Sequence, residues 1–235
     1  MTSSSKPTAL WRHLFLSAAL CTASAAQAVP VSFTQLTGVA GGGAIPATGV
    51  YKADLSALGG VIQSITITDN SGGVNGASGQ FSAFDLDAIK LSNTDCTTAA
   101  CASSAVGLSL FDFLSATFFT PGTQRAPTDP KLFGTGPTGN TVDDPIATLG
   151  LFDGVSSTLT PFGFISLGDN GVIAFNLSAA VSTAGLFLYI GEVGNNGEVA
   201  ASNIEVRSTT VPEPGTLGLL GIGLAGLGFL RRRKV

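Results

Sequence analysis

The sequence predicts an all-β protein, in which a single antiparallel β-sandwich, jelly-roll-like, is flanked by one apolar segment at each end of the chain. The 235 residues are 44% hydrophobic and only 11% charged, and 31 of them are glycine. Short runs rich in Ile, Val, Phe and Thr alternate with turns that contain Gly and Asn, whereas no long amphipathic helical pattern occurs. Many short strands joined by glycine-rich turns are typical of antiparallel sandwiches rather than of parallel sheets.

The first 28 residues have the three parts of a secretory signal peptide. Lys6 and Arg12 give a positive start, and Leu14 to Ala26 form an apolar stretch. Ala26 and Ala28 provide the small residues of an A-x-A cleavage site, so we expect the mature chain to begin immediately after Ala28.

Removal of this signal would also remove three rare residue types. The only methionine, tryptophan and histidine of the chain are Met1, Trp11 and His13. The mature protein would then hold no histidine for a Ser-His-Asp or Cys-His nucleophile, or for a His-ligated metal.

Residues 29–210 are predicted to form the one β domain. Val61–Thr68 is predicted to be a strand, with Ile65 and Ile67 on one face. A connection over residues 120–148 interrupts the strand pattern and holds five of the 11 prolines. Structureless connections of this length are unusual inside a domain, so the segment is either a functional surface loop or a separator between two halves of the sandwich.

Two hairpins are predicted from turn sequences. Phe162–Leu167 and Val172–Leu177 flank Gly168–Gly171, whose Gly and Asn residues tolerate positive φ. A second hairpin is predicted to join Leu186–Val193 to Val199–Arg207.

Cys96 and Cys101 are the only cysteines that remain after signal removal. An even pair in an exported protein predicts a disulfide, here closing a short local loop. The alternatives are a redox pair or half of a metal site, but redox motifs favour C-x2-C, and no further Cys or His exists to complete a metal shell.

Asp85 and Asp87 are the candidate metal ligands. Strand periodicity would place both carboxylates on one face, which suits a hard cation such as Ca²⁺. The alternative is a solvated strand face. No cofactor other than calcium is expected. A glycosidase acid and base would require two carboxylates across a cleft, and nothing in the sequence places such a pair.

The C-terminal residues 211–235 form a three-part tail. Pro212, Glu213 and Pro214 precede an uncharged Gly-rich stretch over residues 216–230, which as a helix would be about 22 Å long against a hydrocarbon core of about 30 Å. A basic cluster follows at once. Its residues are Arg231, Arg232, Arg233 and Lys234.

This tail resembles the PEP-CTERM sorting signal of Gram-negative bacteria. The resemblance implies that an exosortase, an integral-membrane cysteine protease, recognises Pro212–Pro214 and severs the tail, with Arg231–Lys234 as the membrane stop. It further implies transient inner-membrane insertion and then release to the cell surface or extracellular matrix, typically in species that make exopolysaccharide. The segment Gly79–Leu91 is also similar to the bodies of uncharacterised PEP-CTERM proteins, which supplies no site.

The charge of the body limits its partners. Without the two terminal segments the chain keeps five basic and 14 acidic residues, a net charge of −9. Scattered single Lys and Arg residues offer no phosphate-binding stripe, so a nucleic-acid partner is not expected. We expect a non-enzymatic surface or matrix protein with extracellular polysaccharide as a candidate partner; the alternatives are a Ca²⁺-dependent glycan-binding module and a secreted hydrolase.

Overall fold

The computed structural model describes residues 29–41, 47–154 and 163–198, and the backbone of residues 203–207. The predicted signal peptide with Ala26 and Ala28, the sorting triplet Pro212–Pro214 and the basic cluster Arg231–Lys234 lie outside the described residues. None of the helices within these ranges has the length and apolar character needed to cross a membrane.

Within these described ranges, ten strands form two five-stranded sheets in which every paired neighbour is antiparallel. The first sheet has the order β1-β10-β4-β8-β6. Its strands are β1 Val29–Val31, β4 Val61–Thr68, β6 Thr117–Thr120, β8 Val172–Ser182 and β10 Asn203–Arg207.

The second sheet has the order β2-β3-β9-β5-β7. Its strands are β2 Thr34–Gln35, β3 Thr48–Asp54, β5 Asp85–Ser92, β7 Ile165–Ser166 and β9 Phe187–Val193. Two short helices complete the described elements, α1 Ala99–Ser104 and α2 Asp144–Ala147, together with 3₁₀ turns at Ser56–Leu58 and Gly79–Phe81. The all-β prediction is therefore confirmed at the level of two antiparallel sheets.

One hydrophobic core is shared by the two sheets. Ile65 of β4 and Phe175 of β8, at 0% and 1% exposure, belong to the same buried cluster as Leu86 of β5 and Ile190 of β9. Each such side chain contributes about 1.5–3 kcal/mol when it is fully buried. The predicted strand Val61–Thr68 is confirmed with the same bounds, and Ile65 and Ile67 both face this core.

The hairpin predicted through Gly168–Gly171 is wrong. The turn exists, with Asn170 at φ 63°, but β7 pairs with β5 in one sheet, whereas β8 pairs with β4 and β6 in the other. The chain therefore crosses between sheets at this turn. A connection from one sheet to the other keeps apolar residues on the inner face of both strands, and so does a hairpin. The alternation of apolar and polar residues therefore cannot distinguish these two connections.

The hairpin predicted between Leu186–Val193 and Val199–Arg207 is wrong for the same reason. β9 lies in the second sheet between β3 and β5, and β10 lies in the first sheet between β1 and β4. The register places Val206 opposite Ile65 and Val29 opposite Val206 on the other side. The first and last described strands are therefore neighbours.

The second sheet is also covered on its far side, away from the shared core. One smaller cluster there surrounds Tyr189 and includes Val50, Ala88 and Phe152, and another is built on Phe164 and Val193. This double coverage explains why seven of the eight residues of β5 are buried.

The predicted long connection starts at the last residue of β6 and contains no further β-strand, but its C-terminal part forms α2. It is nevertheless packed, because Leu132 and Thr135 are 3% and 0% exposed. The ammonium of Lys131 donates to the carbonyls of Thr135 and Gly136, which fixes the middle of the loop.

Candidate functional site

Arg125, in the long connection, organises one end of the two-sheet domain. Its Nε donates to both carboxylate oxygens of Asp169 at 3.0 and 3.1 Å, and Nη2 donates to Oδ1 at 2.6 Å. The same guanidinium donates to Ser71 Oγ and to the carbonyl of Asn75. One cation thus joins the connection to the β7–β8 turn and to the β4–β5 loop.

Asp69 supports this network from the end of β4. Its carboxylate is 2% exposed and accepts hydrogen bonds from the hydroxyl of Ser71 and from the backbone N–H of Ser71, Phe84 and Asn170.

Glu192 of β9 and Glu198, just beyond it, lie next to this network. Both residues are 0% exposed, and within the described residues no side chain outside the pair donates a hydrogen bond to any of their four carboxylate oxygens. Oε1 of Glu198 occupies the space in which a side chain at position 76 would begin, and Gly76 has φ 74°. Glycine is therefore required there.

The electrostatics of the two glutamates follow from burial. Desolvation and the neighbouring Glu198 carboxylate raise the pKa of Glu192 to about 10, and Asp85 adds to this effect. Desolvation raises the pKa of Glu198 to about 7, against the attraction of Arg125. A proton on one carboxyl would let the pair share a hydrogen bond, whereas two anions would have none.

Tyr51 of β3 lies close to the same pair. Burial, together with the charges of Glu192 and Glu198, raises the pKa of Tyr51 to about 12. Its phenol is therefore neutral, and it forms part of the wall around the glutamates.

The predicted ligand Asp85 lies at the start of β5 and is 5% exposed. Its Oδ1 accepts the hydroxyl proton of Ser166 on β7, and burial raises its pKa well above the usual range.

The predicted ligand Asp87 is fully buried and has different partners. Its Oδ2 accepts from Thr48 Oγ1 at 2.6 Å, and its Oδ1 accepts from the backbone N–H of Gly154 at 2.7 Å. Desolvation raises its pKa to about 7. The alternative of a solvated face for Asp85 and Asp87 is wrong, because the coverage described above buries both.

No shared ion is required to explain either aspartate, because Asp87 accepts hydrogen bonds on both carboxylate oxygens and Asp85 accepts one on Oδ1. Within the ranges that the structure describes, no three or more His, Cys, Asp or Glu residues group as metal ligands. Calcium at Asp85 and Asp87 stays a prediction.

An open groove of about 660 Å³ lies at the surface near α2. The rings of Phe111 and Phe113 are stacked, with centroids 5.6 Å apart and planes 6° apart, and both contact the core ring of Phe175 edge-on. Leu114 and Leu151 are 81% and 59% exposed on its walls. The remaining lining residues are Asp112, Asp144, Pro145, Thr148, Leu149 and Gly150.

The two carboxylates of the groove differ in acidity. Hydrogen bonds from the Ser115 hydroxyl and from the backbone N–H of Ser115 and Leu114 lower the pKa of Asp112. Burial first, and then the charges of Asp112 and Asp143, raise the pKa of Asp144. The sequence pattern did not indicate this pair of carboxylates.

Cys96 and Cys101 form the predicted disulfide, with a Cα–Cα distance of 5.5 Å. The bridge joins the segment after β5 to α1, whose N-terminus is capped by Thr98 through the backbone N–H of Cys101. The backbone N–H of Cys96 donates to the hydroxyl of Tyr189, which donates to the carbonyl of Thr94. The disulfide thus belongs to the covering layer of the second sheet.

Sequence reasoning did not single out the Glu192–Glu198 pair. Glu192 lies in the otherwise apolar run Phe187–Val193, where a carboxylate has no solvated face to occupy. A carboxylate in an apolar strand indicates that Glu192 is buried, but the strand sequence does not show that Glu198 is its neighbour.

Comparison with protein families gives one match, to the PEP-CTERM protein-sorting motif, over residues 210–234. No curated protein and no solved structure matches the chain. The matched segment contains the triplet Pro212–Pro214 and the basic cluster Arg231–Lys234, as the resemblance implied. The C-terminal residues 210–234 are thus a PEP-CTERM sorting motif, which indicates that the chain is exported and sorted to the cell surface with an exosortase as its processing partner.

Proposed function

We propose that this protein is a non-enzymatic component of the cell surface or extracellular matrix, whose jelly-roll-like sandwich binds extracellular polysaccharide in the groove of Phe111 and Phe113. The tail would hold the chain in the inner membrane until the exosortase removes it. The observation that supports this function best is the groove itself, because its apolar residues are exposed on a chain that the sorting motif directs to the surface.

The chemistry of the groove suits a sugar chain. The C–H faces of pyranose rings pack on aromatic and aliphatic side chains, and Phe113, Leu114 and Leu151 offer such a surface. Asp112 and Asp144 can accept hydrogen bonds from sugar hydroxyls at its edge. Its volume of about 660 Å³ is within the range of small-molecule sites, and its open form would admit a segment of a longer polymer.

Binding rather than catalysis is supported by the placement of the other carboxylates. Asp85, Asp87, Glu192 and Glu198 are between 0% and 5% exposed, so no polymer can reach them. The groove does hold two carboxylates, and the test therefore includes a measurement of hydrolysis.

The first prediction concerns Leu114→Ser. We expect this change to weaken binding of exopolysaccharide extracted from the producing cells about tenfold, because it removes one exposed apolar contact of roughly 1.5 kcal/mol. Affinity gel electrophoresis with the polymer cast in the gel measures the change. Val106→Ser is the matched control, because Val106 is 83% exposed but lies outside the groove.

Equal retardation of the Leu114→Ser variant and the native protein would remove the groove from the binding surface. Release of reducing ends from the polymer, lost in Asp144→Asn, would instead make the protein a hydrolase and contradict the proposal.

A further inference from the structure

We propose that Glu192 and Glu198 bind one divalent cation, with calcium as the natural occupant, inside the two-sheet domain. Two observations meet at this point. Three carboxylates, those of Asp85, Glu192 and Glu198, lie close enough to influence one another electrostatically. Independently, all four oxygens of the two glutamates are buried, and no side chain outside the pair donates to them among the described residues.

The surrounding side chains do not neutralise this pair. Arg125 is the cation that acts on Glu198, but its guanidinium hydrogens are directed at Asp169, Ser71 and Asn75. Tyr51 is neutral and hydrogen-bonds neither glutamate. Two buried carboxylates side by side are strongly unfavourable when both are charged, so the pair must either keep a proton or bind a positive charge, and the proposal assigns the second role to a cation.

The donor set selects the kind of ion. Carboxylate oxygens without nitrogen or sulfur ligands suit hard cations, and Ca²⁺ completes its shell with backbone carbonyls and water more readily than Mg²⁺ does. Only two of the carboxylates would act as ligands, which is consistent with the lack of a three-residue metal group among the described residues. Extracellular modules bind calcium with dissociation constants of about 10⁻⁴–10⁻³ M, a range appropriate for an exported protein.

This site differs from the one that the sequence predicted. Asp85 and Asp87 use their oxygens on Ser166, Thr48 and the backbone of Gly154. The proposal does not depend on the polysaccharide groove, which is lined by other residues.

The test uses the protein as released by the cells, stripped of metal by a chelator and titrated with CaCl₂ alone. Calorimetric titration should show one site per chain, and the melting temperature should rise by several degrees at millimolar calcium. In Glu192→Gln and Glu198→Gln we expect this rise to disappear. The metal-free variants should melt higher than the metal-free native protein, because the new amide donates to the remaining carboxylate. Asp95→Asn, at an exposed carboxylate paired with Lys52, is the matched control and should keep the full calcium response.

Terbium provides a second measurement that does not depend on stability. Tb³⁺ replaces Ca²⁺ at oxygen sites and is sensitised by a nearby aromatic ring. Tyr51→Phe should therefore abolish tyrosine-excited terbium emission, whereas Tyr189→Phe, in the other cluster, should preserve most of it.

Two outcomes would overturn the proposal. If calcium leaves the native melting temperature unchanged while Glu192→Gln raises it, the glutamates share a proton and hold no ion. If the calcium response survives in both glutamine variants but is lost in Asp87→Asn, the ion belongs to the site that the sequence predicted.

Discussion

At the scale of single residues, the acidic side chains of this protein have very different environments. Asp112 is surrounded by donors at the surface, whereas Glu192 is buried without one. Hydrogen bonds to a carboxylate lower its pKa and desolvation raises it, so these two side chains shift in opposite directions. The net charge of the protein at a given pH therefore cannot be obtained by counting its acidic residues.

The groove allows these opposite shifts to be measured. We expect NMR-monitored titration to give a midpoint for Asp112 below that of an ordinary aspartate and a midpoint for Asp144 above it. Ser115→Ala should move the Asp112 midpoint upward, because the hydroxyl donor is its main cause. Thr138→Ala, in the long connection outside the groove, should leave it unchanged.

The sign of the effect on stability follows from the lowered pKa of Asp112. Its contribution is present above the unfolded pKa and is lost as the pH falls through the folded one. An Asp112 midpoint at or above the ordinary value would contradict the hydrogen bonds to Ser115 and Leu114.

Residue types and spacing identified some of these positions and not others. Asp85 and Asp87 stand out in the sequence because they alternate along a strand, yet their burial depends on chain segments that pack over β5 from far away. Glu192 and Glu198 meet through the packing of the β4–β5 loop around Gly76, about 120 residues earlier. No local pattern records that contact.

At the scale of elements, α1 illustrates how a six-residue helix is held on a sheet. Lys90 of β5 donates to the carbonyls of Ala102, Ser103 and Ala105, and its ammonium lies 5.1 Å from the centre of the Phe152 ring. These bonds satisfy the carbonyls at the helix C-terminus, which have no partner within so short a helix. The disulfide holds the other end.

Removal of that disulfide should loosen α1 without unfolding the sheets. We expect Cys96→Ala with Cys101→Ala to lower the free energy of unfolding by about 2 kcal/mol, because the bridge closes only a short loop. For a domain of this size the melting temperature should fall by roughly 4–8 °C, which calorimetry measures.

Treatment of the native protein with a reductant is the control and should give the same shift. An unchanged melting temperature in the double variant would mean that Lys90 and Thr98 alone hold the helix.

Strand positions were more predictable than strand partners. The bounds of β4 follow from its β-branched composition, and Ile173, Phe175 and Leu177 of β8 share one buried face as their spacing predicts. The two predicted hairpins were wrong because Gly168–Gly171 and Gly194–Gly197 carry the chain from one sheet to the other. Turn residues specify local φ values, whereas the sheet that receives the next strand depends on the whole core.

At the scale of the whole molecule, processing should leave only the β domain. We expect the intact mass of the surface-released protein to correspond to a chain that begins at Val29 and lacks Arg231–Lys234, because the motif implies processing by an exosortase and we expect that enzyme to cut near Pro212–Pro214. Mass spectrometry of protein washed from intact cells makes the measurement.

Glu213→Ala is the informative variant, since it alters the recognition triplet and leaves the basic cluster in place. It should remain in the membrane fraction at the higher mass. Released protein that still carries Arg231–Lys234 would show that cleavage is not part of sorting.

The pairing of β1 with β10 has a consequence for the order of events during export. Val29 and Val206 are opposite one another, about 5 Å apart, so the predicted leader before Val29 and the C-terminal sorting segment would both join the domain at the same end of this strand pair. If both segments were still held in the bilayer, the domain would be tethered at one end of the β1–β10 pair. It could complete its fold there, because neither attachment would pull the two sheets apart. Removal of both segments would then require two cuts that lie next to each other on a folded domain. A cut that also removed Val29–Val31 would leave β10 as an unpaired edge strand with which other chains could pair.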